Sequence, residues 1–306
     1  MRGRVLSIRK STREFVIYKK VRLITFEFQN KTRPGLLVDG DSIFDLSALG
    51  FASLLDFIEA ISKGDPQAVS ATQIAGNAAT NHRLRDVKLL APIPRPRKLI
   101  CVGLNYLDHA RESGSQIPDV PTIFCKFATA VIGPGEKIVL PRVSQATDYE
   151  AEFAFVIGKG GRYIPKEAWR EHVFGYTLLN DVSERRYQRA TSQWIMGKTF
   201  DTFAPMGPWI VTAGDIADPH NLDLQCEING ELMQNSNTRE LIFKIPDLIA
   251  FLSSVCTLEP GDIVSTGTPA GVGFARKPPR YLRPGDEVVV RMPAIGELRN
   301  PVVAEP

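Results

Sequence analysis

Apolar residues recur in short runs along most of the chain, and the spacing within each run predicts the local structure. Residues 21–46 alternate apolar and polar positions and contain the turn signal Asp39-Gly40-Asp41, which is typical of a meander of strands. Residues 51–62 follow a helical period, with apolar side chains at Leu54, Leu55, Ile58 and Ile61. The chain therefore opens with strands followed by a short helix.

Prolines at alternate positions mark a connector in residues 91–97. Proline lacks a backbone donor and favours an extended, polyproline-like backbone. We therefore divide the chain into a basic N-terminal extension of residues 1–20, a small N-terminal α+β domain of residues 21–92 and a larger domain of residues 98–302.

Strand-like runs dominate the larger domain: residues 99–102, 122–126, 137–140, 150–157, 175–180 and 287–291. Helical spacing occurs in fewer segments: residues 106–113, 166–172, 183–191 and 245–256. Mixed elements with strands in the majority predict a mixed α/β, strand-rich fold. Its sheet would be antiparallel-rich or rolled into a barrel, and not doubly wound and parallel.

Net charge and cysteine usage narrow the class of protein. The formal charge of +3 over 306 residues is small, so it gives no reason to expect nucleic acid or a membrane surface as a partner. No window approaches the roughly 20 apolar residues that span a bilayer, and we identify no secretion signal. The 4 cysteines include no C-x-x-C pair. We expect buried free thiols and a reducing, cytoplasmic location.

The segment Asp148-Tyr149-Glu150-Ala151-Glu152-Phe153 alternates acidic and apolar residues. On a strand, Asp148, Glu150 and Glu152 would share one face, and the apolar side chains would share the other. Two glutamates spaced about 6.5 to 7 Å along a strand can converge on one hard cation. The alternative is a solvated acidic face over an apolar core.

Asp181 ends a strand-like run and is a candidate third carboxylate at the lip of a sheet. The alternative is that it caps a helix that starts at Ser183. Arg185 and Gln188 would share a helical face with Asp181. An arginine beside a metal suits bidentate contact with a substrate carboxylate, whereas a basic helix face in water is the alternative.

His109 and Glu112 are spaced i, i+3 and are neighbours on one face of the helix predicted over residues 106–113. A carboxylate that holds an imidazole is the arrangement of a general base. The alternative is a surface histidine beside an unrelated glutamate. The following Ser113-Gly114-Ser115 predicts a hinge or lid.

A glycine-rich stretch, residues 265–273, could present backbone N–H groups to an anion or form a tight structural turn. It matches neither a P-loop nor G-x-G-x-x-G, so we expect no nucleotide site. Lys126 and Lys198 are ordinary lysines unless the fold turns them inward. The remaining histidines are interpreted as structural or exposed: His82, His172 and His220.

In this order, the segments resemble the fumarylacetoacetate hydrolase superfamily. The likeness covers about residues 98–302 and is carried by a series of motifs: Val102-Gly103-Leu104-Asn105-Tyr106, Asp148-Tyr149-Glu150-Ala151-Glu152, Asn180-Asp181-Val182-Ser183-Glu184-Arg185, Gly197-Lys198-Thr199-Phe200-Asp201 and Thr266-Gly267-Thr268-Pro269-Ala270-Gly271. The chain is most similar to the acylpyruvase, fumarylpyruvate hydrolase and hydroxymuconate isomerase types. The resemblance implies a β-roll C-terminal domain and a homodimer.

The resemblance also implies roles for individual residues. A divalent metal, Mg²⁺ or Mn²⁺ and in some members Ca²⁺, would be held by Glu150, Glu152 and Asp181. His109 and Glu112 would activate water, and Lys198 would stabilise developing charge. The implied substrate-binding residues are Lys126, Arg185, Gln188 and Thr268.

These roles predict a metal-dependent hydrolase that cleaves a C–C bond in a small 2,4-dioxo acid, such as an acylpyruvate or fumarylpyruvate, through a metal-stabilised enolate. The same site would serve an isomerase or decarboxylase of a 2-hydroxymuconate-type acid or of oxaloacetate. An alternative of another class is a non-catalytic protein in which the metal only holds the fold together.

Overall fold

The structure, a computed structural model, describes residues 22–74 and 82–306. The predicted basic extension, residues 1–20, lies outside the described residues. In chain order, the strands are β1 (Arg22–Phe28), β2 (Lys31–Val38), β3 (Ser42–Asp45), β4 (His82–Arg83), β5 (Lys88–Leu90), β6 (Leu99–Gly103), β7 (Thr122–Cys125), β8 (Val131–Ile132), β9 (Ile138–Leu140), β10 (Thr147–Asp148), β11 (Ala151–Ile157), β12 (Val173–Asn180), β13 (Ser183–Glu184), β14 (Ala204–Thr212), β15 (Asp223–Ile228), β16 (Glu231–Asn237), β17 (Ile263–Ser265), β18 (Glu287–Met292) and β19 (Gly296–Ala304).

Helices are fewer than strands in the described part of the chain. They are α1 (Leu54–Lys63), α2 (Pro66–Ile74), α3 (Leu107–Ser113), α4 (Trp169–His172), α5 (Arg185–Gln188), α6 (Ile195–Lys198) and α7 (Ile245–Val255). Short 3₁₀ turns join several of these elements. No described helix is long and apolar enough to cross a membrane.

The strands assemble into one 12-stranded sheet, one 5-stranded sheet and a small 2-stranded pair. The large sheet runs in the order β4-β3-β2-β1-β14-β12-β11-β17-β6-β7, with β5 on β1 and β8 on β14. The 5-stranded sheet has the order β16-β15-β18-β19-β9, and β10 pairs with β13. Most pairs are antiparallel, so the strand-rich mixed α/β fold predicted from the sequence is confirmed.

Strands β11 and β12 lie at the centre of the molecule and are buried along their whole length. One face of β11 carries Phe153 and Phe155 into a core shared with the 5-stranded sheet and α7. The opposite face carries Ala154 and Val156 into a second core. A strand that is buried on both faces needs apolar residues at consecutive positions, which explains the run Phe153–Ile157.

The second core joins the N-terminal elements to the larger unit. Helix α1 is amphipathic, is capped by Ser53 at its start, and buries Leu54, Phe57 and Ile58. Strand β1 pairs with both β2 and β14, with Leu23 opposite Ile210. The N-terminal strands therefore extend the central sheet, and no separate sheet forms in the described part of residues 21–92.

Most of the elements predicted from periodicity are present, and one helix is much shorter than predicted. The helix predicted over residues 183–191 is α5 alone, because Ser183 and Glu184 pair with β10 as strand β13. The Glu184 side chain caps α5 by accepting from the backbone N–H of Tyr187 at 2.8 Å. Asp181 is therefore not the cap of a helix starting at Ser183.

The prediction that the cysteines are buried holds for two of them. Cys101 and Cys226 are buried free thiols, and Cys256 is partly exposed. Cys125 is exposed, because β7 is the last strand of the large sheet and one of its faces is left uncovered.

We expect Phe57→Ala to lower the free energy of unfolding by about 3 to 5 kcal/mol, because its ring fills the core between α1 and the central sheet. Urea unfolding followed by circular dichroism would measure the loss. The matched control is Val255→Ala, at a side chain that is 69% exposed, where the change should stay within about 0.5 kcal/mol. Equal losses in both variants would contradict this account of the core.

Candidate active site

Three carboxylates meet where β11 begins and β12 ends. Ala151 lies opposite Asn180 in the antiparallel pair of β11 and β12. Glu150 and Glu152 are the sequence neighbours of Ala151, and Asp181 directly follows Asn180, so the three acids lie close together. The backbone N–H of Asp181 donates to the carbonyl of Glu150 at 2.8 Å. One oxygen from each side chain lies within 4.8 Å of the others, and all three residues are buried. The structure therefore brings together the predicted metal ligands.

Two buried lysines contact these carboxylates. Lys198, at the end of α6, donates to Glu150 Oε2 at 2.7 Å and to Asp181 Oδ2 at 2.6 Å. Burial alone would lower the pKa of Lys198, but the carboxylates of Asp181 and Glu150 outweigh burial and raise it above its ordinary value. Lys126 donates to Asp181 Oδ1 at 2.5 Å and to the carbonyl of Val182. The fold thus turns both lysines inward.

Arg185 connects the carboxylates to Asp148. Its Nε donates to Asp148 Oδ2 at 2.8 Å, and its Nη1 donates to Glu150 Oε1 at 2.5 Å and to Gln188 Oε1 at 2.9 Å. Its Nη2 lies 2.8 Å from Asp148 Oδ2 but makes no hydrogen bond with the described residues. Nη2 is thus a buried donor of the guanidinium with no hydrogen-bond acceptor among the described residues.

Acidic side chains outnumber cationic side chains in the buried network. Four carboxylates and three cationic side chains take part: Asp148, Glu150, Glu152, Asp181, Lys126, Lys198 and Arg185. If all are charged, one negative charge is left over. Among its described contacts Glu152 has no cationic partner, since its carboxylate accepts only from Ser265 Oγ and from the backbone N–H of Gly267.

The excess of acidic over cationic side chains affects the pKa of Glu152. Burial, together with neighbouring Asp181 and Glu150, raises its pKa well above the usual range. Burial acts on Glu150 in the same direction, but Lys198 and Arg185 reverse the shift and lower its pKa. A divalent cation among three buried carboxylate oxygens would remove the repulsion, and oxygen donors are what Mg²⁺ and Mn²⁺ prefer. The donor set therefore fits a hard divalent metal.

The predicted histidine–glutamate pair is formed on α3. His109 Nδ1 lies 3.1 Å from Glu112 Oε2, and His109 is 9% exposed. The other oxygen of Glu112 accepts from the backbone N–H of Gly271 at 2.9 Å. Because Glu112 accepts at Nδ1, a neutral imidazole would carry its proton there and leave Nε2 as the basic nitrogen.

The glycine-rich stretch binds the protein's own carboxylates. Its backbone N–H groups donate to Glu152 from Gly267, to Glu112 from Gly271 and to Asp148 from Gly273. Gly271 has φ +103°, and a Cβ there would lie 2.1 Å from the carbonyl oxygen of Met233. These donors position three acidic side chains of the site.

Thr268 lies in the same stretch, and its hydroxyl already has two partners. It donates to the carbonyl of Ala151 at 2.9 Å and accepts from the side-chain amide of Gln234 at 2.8 Å. Contact between Thr268 and a substrate carboxylate stays a prediction.

One cavity of about 300 Å³ unites most of these groups. It is lined by Val102, Gly103, Leu104, His109, Ser113, Ser115, Phe124, Glu150, Glu152, Asp181, Arg185, Gln188, Arg189, Trp194, Lys198, Thr268 and Phe274. Glu112 and Lys126 are not in this lining; Glu112 contacts His109, and Lys126 contacts Asp181. Nothing in the local sequence marks Trp194, Phe124 or Phe274 as cavity walls, because separate segments bring them together.

Comparison with known proteins gives a consistent result. The model of the family "Fumarylacetoacetate (FAA) hydrolase C-terminal" matches residues 98–303. The chain is 45% identical to "Oxaloacetate tautomerase fahd2, mitochondrial" of Xenopus laevis over 292 residues, which cover 92% of this chain and 90% of that protein. It is 40% identical to "Oxaloacetate tautomerase YisK" of Bacillus subtilis (strain 168), with 92% of this chain and 100% of that protein covered.

A solved structure shares the fold. The maleylpyruvate hydrolase from Sphingobium sp. SYK-6, in complex with manganese(II) ion and pyruvate, is 35% identical and superimposes with a TM-score of 0.78, covering 93% of this chain and 100% of that one. The resemblance inferred from the ordered motifs is thus confirmed. This chain belongs to the fumarylacetoacetate hydrolase family and is an enzyme of that superfamily.

Proposed function

We propose that this enzyme is a divalent-metal-dependent tautomerase that interconverts the keto and enol forms of oxaloacetate or of a close 2-oxo dicarboxylic acid. The observation that carries the proposal is that His109, held by Glu112, lines the same 300 Å³ cavity as the three clustered carboxylates. The oxaloacetate tautomerases among its relatives support this reaction over C–C hydrolysis.

The metal would be held by Glu150, Glu152 and Asp181, which offer three oxygen ligands. Mg²⁺ or Mn²⁺ suits such a set, and Ca²⁺ is the further possibility that the same ligands allow. When bound, the cation supplies Lewis acidity that makes the hydrogens beside a 2-oxo group more acidic.

His109 would move the proton. Its Nε2 takes a proton from C3 of the substrate, the C3–H electron pair forms the C2=C3 double bond, and the carbonyl π pair moves onto the 2-oxygen. The imidazolium then returns the proton to that oxygen, which yields the enol with no net gain or loss of atoms. Glu112 at Nδ1 stabilises the imidazolium between the two transfers.

Cationic side chains would hold the substrate and its developing charge. Lys198 lines the cavity and is kept protonated by Glu150 and Asp181, so it can stabilise negative charge on the 2-oxygen. Arg185 lines the cavity, and its Nη2, which has no hydrogen-bond acceptor among the described residues, would contact the carboxylate next to the 2-oxo group. Gln188 lines the cavity beside Arg185, and its amide nitrogen is the group left to contact substrate.

Hydrolysis of a 2,4-dioxo acid is the second candidate. It is favoured by the likeness to maleylpyruvate hydrolase and by the capacity of a histidine–glutamate pair to activate water. A non-catalytic metal protein is disfavoured, because a structural ion site requires neither an open cavity nor a base that lines it.

A substrate panel separates these reactions. With Mg²⁺ or Mn²⁺ we expect the protein to accelerate the keto–enol exchange of oxaloacetate, followed by ultraviolet absorbance of the enol and by NMR of the C3 hydrogens. We expect little release of pyruvate from fumarylpyruvate or acylpyruvates. Metal-dependent formation of pyruvate plus a second acid would instead establish the hydrolase, and CO₂ from oxaloacetate would establish a decarboxylase.

Replacing His109 tests proton transfer. We expect His109→Gln to lower kcat for the exchange by about 10²- to 10⁴-fold, the usual contribution of a general base. Affinity for Mn²⁺, measured by isothermal titration calorimetry, should remain within a few-fold of wild type, because His109 is not among the clustered carboxylates. A variant that kept full exchange activity would remove His109 from the mechanism.

Metal binding can be separated from proton transfer with a pair of isosteric variants. Glu152→Gln should weaken Mn²⁺ binding by about 100-fold or more, because it removes one of three ligands. Glu112→Gln should leave Mn²⁺ affinity nearly unchanged and lower kcat, since Glu112 contacts His109 and not the clustered carboxylates. Calorimetry on protein stripped with EDTA measures both. Equal Mn²⁺ affinities for Glu152→Gln and wild type would refute the proposed ligand set.

A further inference from the structure

Arg189 is the one cation of the cavity lining that has no acidic partner in the described chain. It follows α5, is exposed, and lines the cavity that holds the three carboxylates. Its backbone N–H donates to the carbonyl of Arg185 at 3.2 Å, and this hydrogen bond fixes the position of its backbone at the end of α5. No carboxylate of residues 22–74 or 82–306 lies within ion-pairing distance of its guanidinium.

The other permanent cations of the lining are already neutralised. Lys198 contacts the carboxylates of Glu150 and Asp181, and Arg185 contacts those of Asp148 and Glu150. A ligand with a second negative charge would therefore find its strongest unsatisfied electrostatic partner at Arg189.

The guanidinium groups of Arg189 and Arg185 both contact the ring of Phe274. The two guanidinium carbons lie 4.5 and 4.6 Å from the centroid of the same ring, a cation–π distance. Because both carbons lie within 4.6 Å of the same ring centroid, they are at most about 9 Å apart. A four-carbon diacid has about 4 Å between its carboxyl carbons, and each carboxylate contacts a guanidinium carbon from about 4 Å, so the diacid is long enough to bridge both arginines.

The neighbouring Arg186 provides an internal comparison. Arg186 lies in α5, three residues before Arg189, and is exposed like Arg189, but it does not line the cavity and its Nη1 contacts Gln145. An exposed arginine in or next to α5 therefore does not line the cavity merely because of its place in the sequence.

We propose that Arg189 is the specificity-determining residue that binds the distal carboxylate of a 2-oxo dicarboxylic acid and selects it over the corresponding monocarboxylic acid. This inference rests on the proposed function, which specifies that the 2-oxo end of the substrate is the end that reacts. Arg185 Nη2 contacts the carboxylate beside the 2-oxo group, and Arg189 contacts the carboxylate at the other end.

Binding of two unreactive acids tests the inference without turnover. Malate and 2-hydroxybutyrate differ only in a distal carboxylate that replaces a methyl group. Calorimetry on the Mn²⁺-loaded enzyme should show that wild type prefers malate. We expect Arg189→Gln to weaken malate binding by about 10- to 100-fold, as for loss of a charge-assisted contact, and to leave 2-hydroxybutyrate within about twofold.

Two further variants sharpen the result. Arg189→Lys keeps the charge without the planar fork and should bind malate with intermediate affinity. Arg186→Gln is the matched control and should bind both acids like wild type. With oxaloacetate as substrate, Arg189→Gln should raise KM and change kcat little. Unchanged malate affinity in Arg189→Gln, or an equal loss for both acids, would overturn the inference.

Failure of this inference and failure of the proposed function are distinguishable. Malate does not undergo the exchange, so selective loss of malate binding would support Arg189 even if wild type proved inactive on oxaloacetate. Conversely, an active wild type whose Arg189→Gln variant kept its malate affinity and its KM would leave the tautomerase standing and remove Arg189 from substrate selection.

Discussion

The site depends on a compensation between buried charges. Removing a carboxylate from water costs several kcal/mol unless it is paired, and here four acidic side chains are buried within one network. Lys126, Lys198 and Arg185 neutralise most of that charge and also fix the rotamers of the acids. Glu152 has no cationic partner among the described residues, so the network that neutralises the other acids leaves at Glu152 a carboxyl group that a divalent metal would complement.

Backbone N–H groups also hold the acidic side chains of the site in place. The stretch of residues 265–273 donates N–H groups to Glu152, Glu112 and Asp148, and each of these acids belongs to a different segment. A single loop therefore contacts one of the three clustered carboxylates, Glu152, and the glutamate that holds His109. Because φ at Gly271 is positive and Met233 is so close, this arrangement of the loop depends on the absence of a side chain there.

The sequence predicted those parts of the fold and site that depend on local periodicity. Alternation in residues 148–155 correctly separated Tyr149, Ala151 and Phe153, which enter the core, from the acids. It did not predict that Asp148 would leave the acidic cluster to pair with Arg185, because that outcome depends on where residues 265–273 fold back. The family resemblance predicted that Lys126 and Lys198 belong to the site. Only the fold shows that both lysines donate hydrogen bonds to the carboxylate of Asp181.

Long-range pairing explains the other differences. Strand β14 runs through two prolines and a glycine, which obscured it in the sequence, yet it is the strand to which β1 attaches. Residues 183–184 looked helical because the pattern continues into α5, but pairing with β10 gives them an extended backbone. The cavity walls Trp194 and Phe274 come from segments without a common motif, so tertiary packing alone identifies them.

The pairing of β1 with β14 also determines which fragments of this enzyme can be expected to fold on their own. The family likeness begins at residue 98, yet the hydrogen-bonded sheet does not end there. A fragment that started at residue 98 would leave Ile210 and Val211 of β14 without their neighbours Leu23 and Arg22, and it would uncover the apolar surface beneath α1. An unprotected edge of that kind recruits strands from other molecules. The N-terminal segment therefore completes the hydrogen bonding of β14 and covers the apolar surface beside it.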